Sequence, residues 1–332
     1  MLPSIRRYLE IKRRKLRFVF LLSIAVIFPV SLLSIYLGSS GTLPIERWNQ
    51  GDPIFLLRAY RTITGILAAS SLSLNGLLLQ TILMNPIVDS SILGISSGAM
   101  LGTLLGYIAS IKLGLYVVPA FSFLFSLAVT TAIYVLSRVG GFRILVITLG
   151  GVMISTMLTS ISYMILIVNP TISRGGVAIV LGSLQFSNST TVYYGLFSLI
   201  SIMVYLLLRI GKLRKLMLGE DIARSEGIKV EEIRKESILA SSISIAFVTL
   251  AVGPIGFIGL ILPHISRILV GGDPGASAVV SASLAPSLLL LADIASRIAF
   301  MPSELPVGIA MSMLGAPYFL FLLLRSVRRG ER

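Results

Sequence analysis

The sequence predicts an all-α polytopic membrane protein of about ten transmembrane helices, and three observations carry that expectation. Charged residues make up 13% of 332 positions and apolar types 55%, so the charged share is about half that of soluble domains. Mean hydropathy is +0.94. Nearly the whole chain also divides into charge-free stretches of membrane length. A soluble globule of this size needs more polar surface than the chain offers, and intrinsic disorder needs low hydrophobicity. Cysteine is absent, which excludes disulfides and thiolate metal sites.

Taken in order, the uncharged stretches are Phe18–Leu37, Thr62–Leu83, Ser90–Ile111, Leu113–Ser137, Ile144–Ser173, Gly175–Leu208, Ser237–Ser266, Pro274–Ala292 and Leu305–Leu324. About 20 apolar residues cross the hydrocarbon core as a helix, so each can span. The first run is too long for a signal peptide and no A-x-A site follows it, so a retained helix is expected. The long runs Ile144–Ser173 and Gly175–Leu208 should each hold a crossing plus an interfacial piece. Within Ser237–Ser266 the tetrad Gly253-Pro254-Ile255-Gly256 interrupts helical continuity and divides the run in two. That makes ten crossings, the eighth (about Phe257–Val270) being short.

Orientation follows from Lys and Arg. The tail to Arg17 carries seven, Arg209–Lys235 carries eight and Arg325–Arg332 carries four. With both termini cytoplasmic, these fall inside together with Arg138, Arg143 and Arg267, so that 22 of 28 basic residues are internal. The formal +14 therefore reads as a positive-inside signal, and nucleic-acid binding loses its support. The chain reads as one membrane domain over 1–332, with a basic tail over 1–17 and a cytoplasmic loop over 209–236. The two five-helix halves on either side of that loop suggest an inverted repeat.

Chemistry-bearing residues are few. There is no HExxH, GxSxG or GxxxxGK[ST] pattern and no paired intramembrane aspartate, so neither catalysis nor P-loop ATP hydrolysis is expected on this chain. His264, the single histidine, has no carboxylate near it in sequence, and packing is the expected role rather than metal binding. Asp89 beside Pro86 reads as a helix cap for Leu93–Ala99. Asp293 and Glu304 near the outer end invite two readings: proton or sodium coupling, or ion pairing, with Arg297 at i+4 from Asp293. Arg58, Arg61 and Arg297 are three of only six outer or boundary basic residues, fit either for gripping a partner's carboxylates or for lipid headgroup contact. Leu218–Ile228, with Gly219 and Gly227 bracketing acids in a first turn, is either a short structured element or a solvated loop.

Three motif groups stand out. Arg58-Ala-Tyr-Arg61 leads to Asn75-Gly76, Asn85-Pro86 and Leu93-Gly94-Ile95-Ser96-Ser97-Gly98. Leu218-Gly219-Glu220-Asp221-Ile222-Ala223-Arg224-Ser225-Glu226-Gly227 follows. The last runs from Gly253-Pro254-Ile255-Gly256-Phe257 through Pro263-His264 and Asp293 to Glu304-Leu305-Pro306-Val307-Gly308 and Leu314-Gly315-Ala316-Pro317. In this order they resemble the FecCD-type permeases of iron-siderophore, haem and vitamin B12 ABC importers, the family of the cobalamin permease.

The resemblance implies a homodimer in the cell membrane, served by two ATP-binding cassette subunits and an external substrate-binding protein. No cofactor belongs to this chain; ATP and magnesium belong to the partner ATPase. By the same resemblance Leu218, Gly219, Glu220, Ala223, Arg224 and Gly227 form the ATPase-coupling segment, and Arg58, Arg61 and Arg297 dock the binding protein. The fifth crossing is implied to line the pathway with Thr148, Ser155 and Thr159, behind a gate at Gly141-Phe142. The cargo class is a metal chelate. An ion-coupled secondary transporter is the competing expectation.

Overall fold

The computed structural model describes residues 2–39, 41–49, 51–140 and 144–330, and it is helical throughout apart from one small hairpin. The helices are α1 (Leu2–Tyr36), α2 (Pro53–Ile82), α3 (Ile95–Leu113), α4 (Val118–Val139), α5 (Ile144–Val168), α6 (Pro170–Leu181), α7 (Ser189–Leu216), α8 (Glu220–Ser225), α9 (Val230–Val252), α10 (Ile258–Val270), α11 (Pro274–Ile298) and α12 (Val307–Gly330). Strands β1 (Leu37–Gly38) and β2 (Gly41–Thr42) pair antiparallel between α1 and α2. Among the described residues, seven helices are long and apolar enough to cross a membrane, while α10 is shorter. The break at Gly253–Gly256 falls where expected, between α9 and α10, and α6 is the extra piece between two membrane-length helices.

Local chemistry sets the helix ends. Asp52 caps α2, accepting from the Ile54 and Phe55 amides at 2.8 and 3.2 Å, and Pro53 follows at the first helical position, where its missing N–H costs nothing. Asn188 and Thr191 form a reciprocal capping box on α7, and Asp273 caps α11 through Ala276 N–H at 2.8 Å. Each cap contributes about 1 kcal/mol.

The core is organised around α2, which packs against α7, α9, α10 and α11. Its buried face carries Ser71 and Asn75, which join Ser198 of α7 and Ser241 and Ser244 of α9 in a hydrogen-bonded spine. Lipid tails are as apolar as leucine, so helices associate by close packing and by such polar ties. Beside this core α3 and α4 form a tight pair. Gly98, Gly102 and Gly106 stand one turn apart on α3, and a β-carbon on any of them would collide with the α4 backbone at Phe125, Phe121 or Val118. This small-residue seam was not singled out in the sequence, although its four-residue spacing is legible there.

Candidate functional site

Two regions, at opposite ends of α2, gather the unusual residues. The 21 steps from Arg61 to Ile82 rise about 32 Å at about 1.5 Å each, which is one hydrocarbon core.

At the first end, four charged side chains interlock. Arg61 donates through Nε to Asp293 Oδ2 at 3.0 Å, through Nη2 to Asp293 Oδ1 at 2.8 Å and through Nη1 to Glu304 Oε2 at 2.6 Å. Arg297 reaches Asp293 Oδ2 at 3.1 Å, the i+4 pair expected from spacing. Its Nη1 also donates to the carbonyls of Ser34 and Leu37 at 2.9 and 2.8 Å. Arg58 donates through Nη1 to Ile35 and Tyr36 carbonyls at 3.0 and 2.8 Å, and through Nη2 to Gly41 O at 2.9 Å. The last carbonyls of a helix lack internal partners, and here two guanidiniums satisfy those of α1 and secure the β1–β2 hairpin.

Exposure is 7% at Arg58, 8% at Arg61, 1% at Arg297 and 0% at Asp293. The three arginines expected to face outward as carboxylate grips are therefore brought together, but turned inward onto their own chain. Glu304 sits in the α11–α12 connection and also accepts from the Ser39 hydroxyl at 2.5 Å. Burial alone would raise its carboxyl, but the Arg61 guanidinium and the Ser39 and Arg61 hydrogen bonds outweigh that and hold it below its ordinary value.

At the other end, the segment Leu218–Ile228 is a structured element rather than a loop. Gly219 adopts φ 124° before α8 and Gly227 φ 77° after it, backbone conformations that favour glycine. Ala223 is fully buried, whereas Leu218 and Ile222 project outward at 66% and 46% exposure. Arg224 lies one turn from Glu220 at 3.5 Å. The anchor is a residue the sequence did not flag: Arg234 of α9 is 2% exposed, pairs with Glu220, and donates through Nε to Ile82 O at 3.2 Å. One guanidinium thus joins α8 to the last turn of α2. A buried arginine inside an otherwise acidic and basic loop sequence gives no periodic signal of its own.

Asp89 does not cap α3, whose N-cap is Gly94 with no side-chain bond. It accepts instead from the Ser90 amide at 2.7 Å and from Phe257 N–H at 3.0 Å, tying the α2–α3 turn to the start of α10. On α5, Ser155 pairs with Ser97 of α3 at 2.8 Å and Thr159 donates to the same hydroxyl at 3.4 Å, so both turn toward α3. Thr148 is partly exposed. Thr156 and Ser160 of this helix are exposed, each bonded to its own preceding turn. Gly141 and Phe142, the expected gate, lie outside the described residues. His264 packs edge-on to Tyr318 at 6.3 Å, and among the described residues no cluster of three metal-ligating side chains occurs.

A profile of the FecCD transport family matches residues 20–325. The chain belongs to the FecCD transport family. It is 34% identical over 274 residues to a probable iron chelatin transport system permease protein of Helicobacter pylori strain J99, with 82% of each chain covered. It is 33% identical over 275 residues to the ferric enterobactin transport system permease protein FepD of Escherichia coli K12, again covering 82% of each. In fold it is similar to a solved inward-facing conformation assigned to the metal-chelate type of ABC transporter, with TM-score 0.75 and 24% identity over 93% of this chain and 99% of that one. With the seven membrane-length helices, membership in this family makes the chain a multi-pass membrane transport protein of the inner membrane.

Proposed function

We propose that this chain is the membrane-spanning subunit of an ATP-driven importer for a metal chelate, a ferric siderophore, haem or a corrinoid. In this reading α8 is the element pushed by a cytoplasmic ATP-binding partner. The observation that carries it is the form of the α8 segment: a six-residue helix that, with the residue two before it, turns Ile222 and Leu218 outward and is clamped by Arg234 to the end of α2. Exposed apolar side chains beside a rigid clamp suit a surface that receives force and passes it to the core helix.

The proposed topology has ten crossings, with α3, α10 and α12 completing the count, two five-helix halves, and both termini and the 209–236 loop in the cytoplasm. Two copies of this single domain enclose the pathway. The external protein that delivers the chelate meets the end holding the β1–β2 hairpin and the α11–α12 connection. Arg58, Arg61 and Arg297 serve that meeting from beneath, by fixing both segments, rather than as free forks. Thr148, Ser155, Thr159, Gly141 and Phe142 belong to the proposed pathway and gate, Ser155 and Thr159 through the contact of α5 with α3. ATP and magnesium act on the partner.

The reading is tested by co-purification and transport. Leu218→Asp and Ile222→Asp are expected to lose the ATP-binding subunit while leaving a monodisperse permease, and uptake into vesicles should require internal ATP. Uptake driven by an imposed ion gradient without ATP would overturn it. The ion-coupled alternative finds Asp293 already engaged by two arginines and Glu304 by Arg61, which leaves those carboxylates poorly placed to exchange a cation.

A further inference from the structure

We propose that a cavity beside the coupling segment receives an acidic side chain of the ATP-binding partner. The proposal rests on the reading above, that the α8 end faces that partner. The cavity, about 250 Å³, is walled by Gln80, Thr81, Asn85 and Arg267, with Met84 and Met217 exposed at its mouth.

Its walls offer donors and no carboxylate. Asn85 is 1% exposed, and its amide orientation is fixed because Oδ1 accepts from Ile87 N–H at 3.1 Å. That leaves Nδ2, which is buried with no partner. Gln80 is fixed in the same way, since its Nε2 donates to the carbonyls of Val88 and Gly259 at 3.1 and 2.9 Å. Its Oε1 is therefore what Arg267 meets. Among the described residues Arg267 forms no ion pair with a carboxylate; its acceptor is that neutral amide. A buried amide donor left unmatched is costly, and so is a largely buried guanidinium without a counter-charge.

A guanidinium and an unmatched amide donor on the walls of a space without an acid match a carboxylate, which takes both at once. The occupant is protein rather than lipid because the mouth is continuous with a protein-facing surface. Met217 immediately precedes Leu218, and Met84, Leu218 and Ile222 are all exposed apolar side chains. Met84 also holds φ 50°, a conformation rare outside glycine and commonly retained where a site requires it.

The experiment titrates purified permease with its fluorescently labelled ATP-binding subunit. Arg267→Gln is expected to weaken association about tenfold. Asn85→Asp, which keeps the side-chain shape and the Ile87 bond, should do the same by filling the site with an internal carboxylate. This second variant carries the test if the first fails to fold. Unchanged association in Asn85→Asp and Arg267→Gln, with Leu218→Asp abolishing it, overturns the cavity proposal and leaves the α8 reading intact. Unchanged association in all three overturns both. Loss of bound phosphatidylglycerol from Arg267→Gln in native mass spectra, with association unchanged, assigns the cavity to a lipid phosphate and also overturns the proposal.

Discussion

The interlocked cluster at the outer end of α2 makes a quantitative prediction for Asp293→Asn. Asp293 is fully buried and is the carboxylate shared by Arg61 and Arg297. Replacing it leaves Glu304 to balance two guanidiniums, although Glu304 contacts only Arg61. The asparagine amide also turns a donor toward the donors of Arg61 and Arg297. Removing one partner of a buried ion pair costs about 3–5 kcal/mol, and in a chain of this size that corresponds to roughly 5–10 °C in melting temperature.

The assay is thermal unfolding in detergent followed by Trp48. This single tryptophan donates to Leu43 O at 3.1 Å beside the hairpin, so it reports on the region concerned. Adding Arg297→Met should recover part of the loss, because Arg61 and Glu304 then balance, with a coupling energy of about 1–3 kcal/mol. A melting point for Asp293→Asn within about 1 °C of the parent would refute the reasoning. So would a double variant that melts at the summed loss of the two single changes.

The remaining expectations concern other parts of the molecule. Glu304 is held below its ordinary value, near 4.5. Its contribution is therefore fully present above that pH and lost as pH falls through the lower folded value, and Glu304→Gln should remove this acid-side slope from melting temperatures measured between pH 6 and 3. Gly102→Val places a branched side chain against the Phe121 backbone and should lower stability by about 1–3 kcal/mol or more, read as a lower melting temperature than that of Gly211→Val, where no atom stands in the way. Arg234→Met breaks the link between α8 and Ile82. Binding of the ATP-binding subunit should persist while transport per ATP hydrolysed falls, and retained coupling would contradict the clamp.

The division into helices was legible in the sequence because charge is nearly excluded from a membrane span, so charged residues mark most helix ends. The Gly253–Gly256 break, the short helix after it, the Asp293–Arg297 pair and the helix inside Leu218–Ile228 were legible for similarly local reasons. What was not legible depends on distant partners. Arg58 and Arg61 looked like outward forks because no acid lies within one helical turn of either in sequence. Their partners are the end of α1, Asp293 at 232 positions from Arg61 and Glu304 at 243. Asp89 looked like a cap for the next helix and instead reaches Phe257, 168 positions on. The resemblance placed Ser155 and Thr159 on a pathway, whereas a hydroxyl on a membrane helix serves equally well to hold a neighbour, and Ser97 is a neighbour that both reach.

The polar spine of α2 bears on how the protein is made. The most apolar window of α2 has mean hydropathy 1.5 against 2.6 for α1, and it carries Ser71 and Asn75 where a solitary span would carry leucine. The side chains that satisfy those groups, Ser198, Ser241 and Ser244, leave the ribosome more than a hundred residues later. A lone α2 can satisfy the Asn75 amide donor on Ser71 O of its own preceding turn, but the bond to Asn75 Oδ1 from Ser241 and the ties of Ser71 to Ser198 and Ser244 have to wait for α7 and α9. The helix at the centre of the core is thus among the first synthesised, while the polar ties that fix its place form only once α7 and α9 have followed.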